Sequence, residues 1–195
     1  MDEPLEIEVK LRIASREEAI ARLGRLGAEP REDRHFEDNE IYDTESRALA
    51  RVGSLLRLRV TDGKGLITFK EKVETDLEAK VRREVETAVS DPAAVRSILG
   101  KLGLVKVYRY QKHRSYYGWS DHGGEGKLCI ALDETPIGVF VELEGDAESI
   151  DRAARIMGYT RNDYILDDYR SLHLAYLRER DLPDGDLVFD PRHDG

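Results

Sequence analysis

The sequence predicts an α+β fold: a closed antiparallel β-barrel with a charged lumen, flanked by helices. The first observation behind this is the stretch Leu5-Glu6-Ile7-Glu8-Val9-Lys10-Leu11, which alternates strictly. A strand there puts Leu5, Ile7, Val9 and Leu11 on one face and Glu6, Glu8, Lys10 and Arg12 on the other. The second is recurrence, because later segments repeat the pattern with complementary charges. A wet outer face explains one such strand. It does not require Glu-x-Glu and Arg-x-Arg phasing to return in strand after strand opposite an apolar face. A barrel with a polar interior and covering helices does.

The elements follow in order. Ser15-Arg16-Glu17-Glu18 reads as a capping box opening a helix whose stripe is Ala19, Ile20, Leu23 and Leu26, and Gly27 stops it. Arg31 to Asp43 is a less regular strand with Glu37, Asn39, Ile41 and Asp43 on one face. Thr44 to Gly53 connects, with a turn of helix, to Leu55–Val60, where Arg57 and Arg59 oppose Leu56, Leu58 and Val60. Asp62-Gly63-Lys64-Gly65 signals a turn into Leu66–Lys70, with Thr68 and Lys70 in phase. Lys80–Val89 alternates with Arg82, Glu84 and Glu86 on one face.

Asp91-Pro92 opens a second helix with Val95, Ile98, Leu99 and Leu102 inward and Gly103 at its end. Val105–Tyr117 is a long strand carrying Tyr108, Tyr110, Lys112, Arg114 and Tyr116 on one side, and the glycine-rich run 120–126 is a loop. Lys127–Asp133 and Val139–Leu143 form the last hairpin, with Asp133, Glu142 and Glu144 in phase. Helices over about Ala147–Met157 and Asp163–Leu177 follow. Residues 1–177 make one domain, and 178–195 an acidic, flexible tail.

Composition narrows the function classes. The 195 residues are 40% hydrophobic and 36% charged, with net charge −9, which disfavours nonspecific nucleic-acid binding. No apolar run approaches a membrane span and Met1-Asp2-Glu3-Pro4 is unlike a signal peptide, so no membrane partner and a cytoplasmic location are expected. Cys129 is the single cysteine and lies in an apolar run, which predicts a small core residue. A homodimer is left open. The five histidines show no ligand spacing.

The in-phase charges are Lys10, Arg57, Arg59, Lys70, Arg82, Lys112 and Arg114 against Glu6, Glu8, Glu84, Glu86, Asp133, Glu142 and Glu144. They balance, so the acidic excess belongs to the rest of the molecule. Burying so many charges is costly unless they pair, hydrate or await a ligand. Converging Arg and Lys donors suit a polyanion such as a triphosphate. Glu-x-Glu pairs suit Mg²⁺ or Mn²⁺, which bridge phosphate oxygens.

Glu6-Ile-Glu8-Val-Lys10 resembles the N-terminal signature of the CYTH superfamily, the triphosphate tunnel metalloenzymes. The resemblance continues through Leu56-Arg57-Leu58-Arg59, Thr68-Phe69-Lys70, Arg82-Arg83-Glu84-Val85-Glu86, Lys112-His113-Arg114 and Asp133–Glu144, spanning 5 to about 175. It implies an eight-stranded antiparallel tunnel flanked by helices. It also implies that Glu6, Glu8, Glu142 and Glu144 bind metal and that Lys10, Arg57, Arg59, Lys70, Arg82, Lys112 and Arg114 hold phosphates. Lys10, Glu84, Glu86 and Asp133 are then the catalytic candidates, the three acids by binding a second metal, orienting the cations or positioning the nucleophile.

Glu37–Thr44 and the Asp133-Glu-Thr-Pro-x-Gly turn look most like the bacterial class IV adenylate cyclase-like subgroup. That implies conversion of ATP to cyclic AMP and pyrophosphate. Related tunnels hydrolyse tripolyphosphate, thiamine triphosphate or nucleoside triphosphates, and a noncatalytic polyphosphate-binding module is the third alternative.

Overall fold

The computed structural model describes residues 5–72, 80–120 and 127–190, with side chains from Ile7 onward in the first strand and from Arg83 onward in the fifth. The described order is β1 (Leu5–Ile13), α1 (Arg16–Leu26), β2 (Glu29–Asp43), α2 (Ala48–Arg51), β3 (Leu55–Thr61), β4 (Lys64–Lys72) and β5 (Lys80–Val89). It continues with α3 (Pro92–Lys101), β6 (Val105–Ser120), β7 (Lys127–Thr135), β8 (Gly138–Gly145), α4 (Ala147–Ile156) and α5 (Tyr169–Glu179). Of the predicted glycine-rich loop 120–126, Ser120 ends β6 and residues 121–126 lie outside the described residues.

The strands form an eight-stranded antiparallel sheet flanked by helices. β1 is hydrogen-bonded to β5 on one side and to β8 on the other, so the ladder β1-β5-β4-β3-β2-β6-β7-β8 returns to its start. Each strand therefore has two neighbours, which among the described residues leaves no strand with a wholly open edge to template aggregation.

Local chemistry sets the connections. Asp62 and Gly63 take φ of 49° and 75°, the backbone of a two-residue hairpin turn, and Thr61 pairs with Lys64 across it. Ser15 accepts a hydrogen bond from the Glu18 amide at the start of α1, and Gly27 ends it at φ 76°. Asp91 accepts from the amides of Ala93 and Ala94 to open α3.

Outside the ring, Val9, Leu11 and Ile13 of β1, Leu128, Ile130 and Leu132 of β7, and Val141 and Leu143 of β8 are buried. They pack under Leu23 of α1 and Ile150, Ala153 and Met157 of α4. Each fully buried aliphatic side chain of this kind contributes about 1.5–3 kcal/mol. Apolar residues thus hold the wall from outside, which frees the inner face for charge.

Four expectations change. Arg161–Asp163 is only a 3₁₀ turn, and the last helix starts at Tyr169, because Ile165 exchanges backbone hydrogen bonds with Lys10 in extended conformation. Asp168 then caps α5 through the Ser171 amide. Of the α3 stripe only Leu99 is buried; Ile98 and Leu102 are 54% and 71% exposed, because the helix meets the β2–β3–β4 surface along a single row. Cys129 is no core residue: strand alternation sends Leu128 and Ile130 outward and turns Cys129 inward. The segment after α5 docks on β6, where the Leu187 side chain is buried and its backbone pairs beside Tyr110.

Candidate functional site

The inner face surrounds a cavity of about 690 Å³. Strand alternation brings to it Glu8 and Lys10 from β1, Arg57 and Arg59 from β3, Lys70 from β4, and Glu84 and Glu86 from β5. Lys112 and Arg114 from β6 and Glu142 and Glu144 from β8 complete this set. Glu6 and Arg82 are paired across β1 and β5, but their side chains lie outside those described. Asp133 does not line the cavity. It lies fully buried behind the cations, accepting from Lys112 at 2.9 Å and from Arg114 Nε and Nη2 at 2.5 Å each.

The charges hold one another. Lys10 pairs with Glu8 and, at 3.2 Å, with Glu142. Burial opposes its charge, but Glu142 and Glu8 outweigh burial and hold its pKa above the ordinary lysine value. Arg114 bonds Glu142 as well as Asp133. Glu142, against the cost of burial, is kept well below the usual carboxylate range by Arg114, Lys10 and Lys112. Lys70 pairs with Glu84. Arg57 donates to Thr68 Oγ1 at 3.3 Å, and Thr68 donates to Glu86 at 3.2 Å. The Arg57 Nε is buried without a hydrogen-bond partner among the described residues. An unmet buried donor on a cavity wall is costly unless a ligand meets it.

Other residues join the site that the in-phase list omits. Glu37, 1% exposed, lies 3.1 Å from Arg59 and 3.6 Å from Lys112. Asn39 accepts from Arg59 Nε at 3.2 Å. Both are in phase with Ile41 and Asp43, and that phase is the signal that could have found them. Tyr169 of α5 donates to Asp133 at 2.6 Å, which strand periodicity has no means of finding. Tyr108, Tyr110 and Tyr116 line the cavity.

The donor set fits a hard divalent cation. Glu8 and Glu144 are cross-strand partners and Glu142 is the next inward residue on β8, so oxygen ligands gather on one wall. Among the described residues no group of three His, Cys, Asp or Glu is placed to hold a metal alone. Mg²⁺ does not need one, since one or two carboxylates with phosphate oxygens and water complete its shell.

Comparison with known proteins settles the lineage. The CYTH domain family model matches residues 4–166. The chain belongs to the CYTH domain family. Solved structures similar to this CYTH chain include a candidate adenylate cyclase from Vibrio parahaemolyticus. The two are 19% identical with a TM-score of 0.71, over 89% of this chain and 99% of that one. A Pyrococcus horikoshii OT3 protein is 22% identical with a TM-score of 0.71, over 88% and 99%. A candidate adenylyl cyclase from Hippeastrum, described as revealing a dominant triphosphatase activity, is 19% identical with a TM-score of 0.53, over 91% and 89%. At these identities the likeness is one of fold. A search of curated protein sequences gives no match.

Proposed function

We propose that this CYTH chain holds an organic triphosphate inside the ring of strands and, with Mg²⁺ or Mn²⁺, converts ATP to cyclic AMP and pyrophosphate. The observation that carries the triphosphate reading is the convergence of Lys10, Arg57, Arg59, Lys70, Lys112 and Arg114 on one cavity, with the Arg57 Nε left unmet. Several fixed donors facing one space match the extended oxygens of a polyphosphate. An organic substrate is favoured because the same cavity continues along Ile41, Tyr42, Leu55, Val107 and Tyr108. Bare tripolyphosphate has no use for that apolar wall.

In this reading Glu6, Glu8, Glu142 and Glu144 would hold the metal, which when bound neutralises phosphate charge and activates a coordinated oxygen. Lys10, Arg57, Arg59, Lys70, Arg82, Lys112 and Arg114 bind the phosphates and align the chain. Asp133 fixes Lys112 and Arg114. The ribose 3′-hydroxyl oxygen bonds to the α-phosphorus as the bond to the bridging oxygen breaks, and pyrophosphate leaves. Glu84 and Glu86 place carboxylates on the same wall, where one takes the hydroxyl proton. Fixed charges around the developing negative charge supply most of the acceleration.

Hydrolysis of a terminal phosphoryl group, in a nucleoside triphosphate, thiamine triphosphate or tripolyphosphate, is the second reading. The triphosphatase activity described for the Hippeastrum neighbour favours it. A noncatalytic polyphosphate holder is the weakest, because simple anion capture has no use for the carboxylates of β1 and β8.

The test is product analysis with purified protein, given ATP and tripolyphosphate separately, with Mg²⁺, Mn²⁺ or chelator. Cyclic AMP and pyrophosphate, lost in chelator, are expected. Orthophosphate without cyclic AMP would replace the cyclase with the hydrolase.

A further inference from the structure

Tyr169 is the first residue of α5, on a different element from every strand residue of the cavity, yet it is buried at the centre of the cation set. Its hydroxyl donates to Asp133 at 2.6 Å, and Asp133 in turn accepts from Lys112 and Arg114. Its ring lies 5.5 Å from the Lys10 ammonium and 5.2 Å from that of Lys112. Phe140 meets the ring edge-on with centroids 5.6 Å apart, and Tyr110 packs at 5.8 Å. One side chain thus touches the carboxylate that anchors two cations and offers its π-face to two ammonium groups.

What holds Tyr169 lies further along the chain. β6 pairs with β7 only from His113 onward, so its earlier residues run beyond the end of β7. The segment after α5 fills that gap: the Leu187 amide donates to the Arg109 carbonyl at 2.9 Å, and the Gln111 amide donates to the Leu187 carbonyl at 2.8 Å. Leu187 is buried, the Asp186 carboxylate accepts from the Arg109 amide at 2.8 Å, and Asp184 is bonded twice by Arg170, the residue after Tyr169, at 2.7 and 2.6 Å. These contacts tie the N-terminal turn of α5 to β6, the strand that carries Lys112 and Arg114.

We propose that Tyr169 is a positioning residue for the polyanion site and that residues 184–187 act as a strap that fixes it. Tyr169 lines the cavity, but its hydroxyl is engaged by Asp133; through Asp133 and its ring it holds Lys10, Lys112 and Arg114 in one arrangement before substrate arrives, so that little ordering remains to be done on binding. The strap acts on the site by holding α5 against β6. The inference rests on the triphosphate reading of the cavity and adds the residues that preorganise it.

The experiment is calorimetric titration of the full-length protein with tripolyphosphate in Mg²⁺, alongside thermal melts, for the wild type, Tyr169→Phe, Leu187→Ser and the double variant. Tyr169→Phe is expected to bind about tenfold more weakly, because substrate must then order the cations itself, and to melt somewhat lower, because buried Asp133 loses a hydrogen bond in the free protein. Leu187→Ser is expected to weaken binding too, and the double variant to bind no worse than the weaker single variant, because both changes act on one chain of contacts. If Leu187→Ser melts below the assay temperature, Asp184→Asn cuts the strap at its exposed end and serves in the same comparison. Absence of binding by the wild type would overturn both the triphosphate reading and this role. Wild-type affinity in Tyr169→Phe, or a purely additive double variant, would overturn the positioning role while leaving the triphosphate reading in place.

Discussion

Glu37 shows how a charge survives inside this molecule. Burial alone would push its carboxyl up, but Lys112, Arg59 and Arg114 hold it well below the ordinary carboxylate range, as Arg114, Lys10 and Lys112 do for Glu142. A depressed folded pKa contributes stability that is full above the unfolded value, near 4.5, and is lost as pH falls through the folded value. Lys10 works in the opposite sense: its pKa is raised above 10.5, so its contribution is full below that value and is lost only as pH rises past it. The melting midpoint should therefore hold steady through neutral pH and fall on acidification below about 4.5. Glu37→Gln should lower the plateau by about 3–5 kcal/mol, because it leaves buried cations uncompensated. It should also flatten the acid limb. Circular dichroism melts from pH 3 to 9 check both, and an unchanged acid limb would remove Glu37 from the account. The phase of Glu37 with Asn39 was legible in the sequence; its burial was not, since one in-phase acid on an irregular strand looks the same wet or enclosed.

At the scale of elements, local chemistry was readable and long-range chemistry was not. Ser15 and Asp91 cap their helices as their spacing implies, and Gly27 ends α1 in the left-handed region. The start of α5 could not be read, because the backbone that breaks it is held by Lys10, more than 150 residues earlier. The acidic composition after α5 likewise hid one buried leucine whose partner backbone is on β6. Asp91 makes a useful contrast with the site. Asp91→Ala removes two hydrogen bonds from the exposed start of α3, which lines no part of the cavity. It should cost about 1 kcal/mol in urea unfolding and leave turnover with triphosphate substrates unchanged. Altered turnover would mean that α3 communicates with the site.

Across the whole molecule, a chain with net charge −9 places basic residues from β1, β3, β4 and β6 around one cavity, facing carboxylates of β1, β5 and β8. That distribution was the most legible feature of all, because period-two alternation fixes which face every charge takes once the strands are right. The same alternation carries Cys129 inward, against the apolar look of its neighbours. What periodicity could not supply is the placement of Tyr169 of α5 and of the strap on β6, which depends on contacts between distant segments. A net charge of −9 opposes an anion at long range, so capture of a triphosphate depends on the basic residues gathered in the cavity, and the place where a triphosphate binds is the central claim. The most direct test is a crystal structure of the protein with tripolyphosphate and Mn²⁺, with the manganese located by its anomalous signal. The predicted result is phosphate oxygens against Arg57, Arg59, Lys112 and Arg114, with manganese between them and the carboxylates of β1 and β8. Tripolyphosphate bound on the outer surface, with Arg57 and Lys112 making no contact to it, would contradict the account.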